Sequence, residues 1–299
     1  MSAGRIQTKI SSALPRIGLS SLVLCLASGM VLIFYYRPAG EVFANVEEIT
    51  TLVPYGWFFR QLHYGSGQAF VILMFLHTLD HFLKRRYVHY PMRVWVTLIL
   101  ALLLSFFTLF TGFILKADQE GVFAGRIFMN ILQTIPIVGA SISKLFIVSG
   151  NDFFFLPYIY HCFFLPILIV YLIRHHIRDW LPNRGFMMAG GACLFLYALL
   201  IKPGVVFPPD AVTPSVEGPW FFLGMQRLLK AAPPLWAGIV MPGVFMMCVF
   251  LLPLTRKRGE FSASAGWLLW GKVDWLRYAV IFMFFVYTGL TVKAMIWGP

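Results

Sequence analysis

Apolar residues run through this chain in long blocks separated by short polar stretches. Seven segments reach the roughly 20 residues that carry a helix across a hydrocarbon layer. Their limits are 17–36, 57–82, 93–115, 153–177, 187–203, 235–254 and 275–296, and the fifth is short. Between the third and fourth lies VFAGRIFMNILQTIPIVGASISKLF, mixed in polarity and broken by Pro136 and Gly139. Such a stretch predicts helices lying along a membrane surface. The pattern predicts an all-α polytopic membrane protein. Composition agrees: 59% of the 299 residues are hydrophobic and 12% are charged, too few for a soluble surface.

The net charge of +12 would suggest nucleic acid in a soluble chain. Here the basic residues sit in short loops between apolar runs. Arg5, Lys9 and Arg16, then Lys84, Arg85, Arg86 and Arg93, then Arg174, Arg178 and Arg184, then Arg256, Lys257, Arg258 and Lys272 alternate onto one side. That side reads as cytoplasmic, with the N-terminus on it and the C-terminus opposite. The first apolar run has no small-residue cleavage signature and reads as a retained helix. The opposite side carries the longer loops 37–56, 116–152 and 204–234, which read as functional surface.

Two of the apolar runs carry histidines at matched intervals. RQLHYGSGQAFVILMFLHTLDHF places His63 and His77 fourteen residues apart, and YIYHCFFLPILIVYLIRHHIRDW places His175 fourteen and His176 fifteen residues after His161. Fourteen residues span about 21 Å of helix and return to within about 40° of the same face. Both helices run from outside to inside, so His63 can face His161 at one depth, and His77 can face His175 or His176 at another. Two stacked bis-imidazole haem b sites satisfy this geometry. A single membrane histidine can instead hydrogen-bond to a carbonyl or a neighbouring helix, but the repeated interval disfavours that reading. Each layer offers too few ligands for zinc, and Cys25, Cys162, Cys193 and Cys248 form neither CxxC nor CxxCH.

The surroundings of these histidines are more specific. FYYRPAGEVFANV, PYGWFFRQLH, QTIPIVG and HCFFLP resemble cytochrome b of the quinol–cytochrome oxidoreductases, in particular the cytochrome b6 form. TPSVEGPWFFLGMQRLL resembles the quinol-site segment of the separate subunit IV that accompanies that form. The resemblance implies a four-helix dihaem bundle in residues 1–182 and a three-helix, subunit IV-like quinone-site region in residues 183–299. It implies two non-covalent b haems, the outer on His63 and His161 and the inner on His77 and His176, with His175 as the alternative. It implies that Arg60 meets an outer haem propionate, where a snorkelling interface anchor is the plainer reading. Gly29 and Gly112 match family glycines beside the outer haem, whereas Pro15 and Leu98 stand at the inner counterparts.

The resemblance further implies outer-side quinol oxidation, inner-side quinone reduction and a multisubunit homodimer containing a Rieske iron–sulfur protein and a c-type cytochrome. The expected location is a prokaryotic plasma (inner) membrane. The acid of the family's Pro-Glu-Trp-Tyr segment is replaced by Pro219 and its tyrosine by Phe221. Glu217 and Asp118 are then the candidate proton carriers, against a plain reading of both as solvated loop acids. These losses keep two alternatives open: a non-bifurcating quinone/quinol oxidoreductase subunit working with a multihaem or iron–sulfur partner, and a structural anchor with degenerate sites.

Overall fold

The computed structural model describes residues 3–181, 184–204, 206–211, 216–255 and 274–298. The expected boundary at residues 182 and 183, the loop cations Arg256, Lys257, Arg258 and Lys272, the side chains of Arg5 and Lys9, and residues 213–215 lie outside the described set. Among the described residues every regular element is helical. In chain order these are α1 (Ala3–Ile33), α2 (Val42–Thr51), α3 (Gly56–Leu83), α4 (Met92–Ile114), α5 (Gln119–Gln133), α6 (Gly139–Phe146), α7 (Phe155–Ile159), α8 (Leu165–Trp180), α9 (Arg184–Leu200), α10 (Leu223–Ala231), α11 (Met241–Leu251) and α12 (Trp275–Trp297).

Five stretches among the described residues are long and apolar enough to cross a membrane: Ser11–Ile33, Met92–Ile114, Gly150–Asp179, Trp236–Thr255 and Trp275–Trp297. The second predicted span is there as α3, a helix of 28 residues, but Arg60, Gln61, His63, Gln68, His77 and Asp80 dilute its hydropathy. The fifth is α9, 17 residues long and shorter than a full crossing. The mixed segment folds into α5 and α6. Ile137 between them is left-handed, with φ of +68°, which ends one helix and lets Gly139 start the next.

The chain forms two compact units. One comprises Met1–Asp80, Leu100–Val122 and Ile147–Val212, and the other His81–Ile99, Phe123–Phe146 and Thr213–Pro299. In the first unit, Leu19 and Leu22 of α1, Phe70 and Val71 of α3, Ala101 of α4, and Ile169 and Ile173 of α8 make the buried core. α9 lies against α1 through Gly190 and Gly191, where a Cβ would meet Ile17 at 2.6 Å and Ser20 at 3.0 Å. In the second unit, Asp274 caps α12 by accepting the Arg277 N–H at 3.2 Å. Its carboxylate also takes the Tyr87 hydroxyl at 3.3 Å and lies 3.5 Å from Arg85.

Candidate haem site

Four helices of the first unit bring two histidines face to face. His63 on α3 and His161, at the junction of α7 and α8, point their Nε2 atoms at each other across 3.5 Å. The rings cross at 78°. Each opposite nitrogen is tied to a backbone carbonyl: His63 Nδ1 lies 2.9 Å from Cys25 O and His161 Nδ1 lies 2.9 Å from Thr108 O. A carbonyl can only accept, so Nδ1 carries the proton and a neutral ring presents its Nε2 lone pair. Two neutral rings placed this way turn two lone pairs toward one point. The arrangement suits an iron with one imidazole on each side. Among the described residues no three His, Cys, Asp or Glu side chains converge as a closed metal cage.

Gly29 and Gly112 take a more specific part than clearance for a macrocycle. A Cβ on Gly29 would lie 2.8 Å from His63 Cε1, and one on Gly112 would lie 2.6 Å from His161 Cε1. The bare backbone is what lets each ring reach the carbonyl four residues earlier on the same helix.

The inner histidines follow from the register. α1 and α3 run antiparallel, with Gly29 against His63 and Gly18 against Met74. Stepping fourteen residues down both helices puts Pro15 opposite His77. On α8, His176 is half-buried while His175 is exposed. His161 sits inside a π-turn, Tyr160–Phe164, in which the Leu165 N–H bonds back to Tyr160 O, five residues earlier. That wide turn absorbs one residue. Fifteen residues from His161 therefore return to the phase that fourteen give in a regular helix. By this phase count His176, not His175, shares the helix face of His161, as His77 shares that of His63. Leu98 is half-buried on α4, fourteen residues before Gly112.

The other expected residues lie apart from this pair. Arg60 reaches the Thr50 hydroxyl and, at 3.5 Å, Val46 O, so it ties the N-terminal end of α3 to α2. Asp118 is 2% exposed and caps α5, accepting the Gly121 N–H at 2.9 Å while pairing with Lys116 at 2.9 Å. Glu217 is exposed; the backbone on either side of it is clamped by Gln226, which accepts from Gly218 N at 2.8 Å and donates to Val216 O at 3.1 Å. Pro219 is buried, and Phe221 O accepts the Tyr287 hydroxyl at 2.6 Å. Tyr287 and the carbonyls of Cys25 and Thr108 gave no signal in the sequence, because backbone acceptors have no residue type and Tyr287 is 66 residues from its partner.

The family model described as Cytochrome b/b6/petB matches residues 6–179. Cytochrome b6 of Gracilaria tenuistipitata var. liui is 35% identical over 164 residues, 53% of this chain and 76% of that protein. Cytochrome b of Schizosaccharomyces octosporus is 27% identical over 280 residues, 82% of this chain and 71% of its own length. A chain of a hyperthermophilic respiratory Complex III superposes with a TM-score of 0.66 over 94% of this chain and 83% of that one, at 19% identity, which speaks for the fold. With the matched segment holding all four helices that build the facing histidines, the chain belongs to the cytochrome b/b6 family, whose members bind haem b in the membrane.

Proposed function

We propose that this chain is the dihaem cytochrome b subunit of a quinol-oxidising membrane complex. One b haem lies between His63 and His161 and a second between His77 and His176. The observation that carries the reading is the Nε2 pair opposed across 3.5 Å, with both Nδ1 atoms held by carbonyls. When bound, two haems at two depths supply one-electron transfer from outer-side quinol oxidation to an inner-side quinone. The chain's own residues hold the rings, exclude water and handle protons. Arg60, one turn before His63 on α3, is assigned the neutralisation of a propionate. Glu217 and Asp118 are the carboxylates proposed to take protons from quinol. The expected partners are a Rieske iron–sulfur protein and a c-type cytochrome in a homodimeric assembly of a prokaryotic plasma membrane, N-terminus inside and C-terminus outside.

A second reading rests on Pro219. A buried proline at the place of the familiar acid favours a non-bifurcating quinone/quinol oxidoreductase subunit working with a multihaem or iron–sulfur partner. Haem stoichiometry tests the shared core of both readings. A pyridine haemochrome assay on quantified protein should give two b haems per chain. His63→Ala and His161→Ala should each remove the same centre, and His77→Ala and His176→Ala the other, with His175→Ala retaining both. One haem or none in the unsubstituted chain overturns the reading. Haem reduction by quinol that requires a Rieske protein separates the first reading from the second.

A further inference from the structure

The outer histidines are held by a short motif that occurs twice. On α1 it reads CLASG, residues 25–29, and on α4 it reads TLFTG, residues 108–112. In each copy the first residue's carbonyl takes the ligand's Nδ1–H and the last residue is the glycine that makes room for the ring. The fourth residue carries a hydroxyl. Ser28 Oγ lies 3.5 Å from His63 Nδ1, and Thr111 Oγ1 lies 3.3 Å from His161 Nδ1. Both residues are buried, Ser28 at 1% exposure and Thr111 at 3%.

Each hydroxyl has one proton, and its own helix takes it. Ser28 Oγ is 2.6 Å from Leu24 O and 3.1 Å from Cys25 O. Thr111 Oγ1 is 3.2 Å from Phe107 O and 3.0 Å from Thr108 O. The oxygen lone pairs are thereby left toward the imidazole N–H. Back-bonding to a carbonyl four residues earlier is ordinary for Ser and Thr in helices, and Ser21 and Ser105 do the same at 2.9 Å and 2.7 Å. Ser28 and Thr111 differ in having a ligand nitrogen on the other side.

We propose that Ser28 and Thr111 are positioning residues of the outer haem centre. Each shares the Nδ1–H of its histidine with the neighbouring carbonyl, fixing the tautomer and the ring angle. A second acceptor on Nδ1–H also makes Nε2 a stronger electron donor, which favours ferric over ferrous iron. The inference rests on the reading of His63 and His161 as haem ligands.

The experiment is a redox titration of the full chain, followed by the optical band and the electron paramagnetic resonance signal of each b centre. Ser28→Ala and Thr111→Val should keep two haems and raise the outer potential. The expected shift is about threefold in the reduced-to-oxidised ratio at fixed potential, about 28 mV at 59 mV per tenfold for one electron. Ser28→Thr and Thr111→Ser should return the potential to its starting value, and Ser105→Ala should leave it there. Loss of the outer haem in Ser28→Ala that Ser28→Thr reverses also supports the proposal. Unchanged potentials with two haems bound, or an equal shift in Ser105→Ala, overturn it and leave the haem assignment standing. Absence of haem from the unsubstituted chain overturns the assignment itself.

Discussion

A methyl group at Gly112 would stand 2.6 Å from His161 Cε1, closer than real side chains approach. The ring has nowhere to retreat without giving up the Thr108 carbonyl at 2.9 Å. Gly112→Ala should therefore turn the imidazole away from His63 and abolish the outer centre. Haem content should fall from two per chain toward one, and the surviving spectrum should match that of His161→Ala. At this scale the sequence was informative about type and silent about contact. His63, His161 and the two glycines were all legible from spacing and family likeness. That each glycine makes room for an imidazole was not, because the clash joins residues far apart in the chain on different helices. The acids divide in the same way. Glu217 and Asp118 both look like loop carboxylates in the sequence, yet one is exposed and the other is 2% exposed, caps α5 and pairs with Lys116.

At the scale of the element, proline sets the phase of the ligands. Pro166 lacks the N–H that would bond to Cys162 O in a regular helix, and the turn before it opens to the i→i+5 pattern. The same arrangement recurs where Trp236–Val240 forms a π-turn ahead of Met241 and Pro242. In α8 the wide turn rotates everything beyond it by about one residue, roughly 100°. Replacing Pro166 by Ala restores the missing donor and favours a regular helix, which carries His176 off the line below His161 and brings His175 onto it. Pro166→Ala/His176→Ala should then retain the inner haem on His175, whereas His176→Ala alone should lose it. Loss of the inner haem in both would show that the turn does not depend on Pro166. The proline and the choice between fourteen and fifteen residues were legible in the sequence; the π-turn that reconciles them is a backbone property and was not.

For the whole molecule, blocks of apolar residues were enough to locate the helices, since water-free surroundings force the backbone to pair within each segment. Where the blocks gave a weaker outline, in α3 and α9, the cause is in the residues: α3 carries Arg60, Gln61, His63, Gln68, His77 and Asp80 among its apolar positions, and α9 is short. What the pattern could not supply is the fate of the protons in the proposed quinol oxidation, because that depends on which acid can reach them. Glu217 is exposed while its backbone is pinned by Gln226 on both sides, so its carboxyl is open to water on a held backbone. Asp118 can accept a proton only by weakening the cap of α5 and its pair with Lys116, losses of about 1 kcal/mol or more. A positioned acid–base group contributes about 10²–10⁴-fold to a proton-transfer step. With Glu217 as the principal carrier, Glu217→Gln should slow quinol-dependent haem reduction by at least roughly tenfold. Asp118→Asn should lower the melting temperature in detergent and leave that rate in place. An equal rate in Glu217→Gln and the unsubstituted chain would remove Glu217 from the route, and a roughly tenfold loss in Asp118→Asn would move the proton path to the α5 cap.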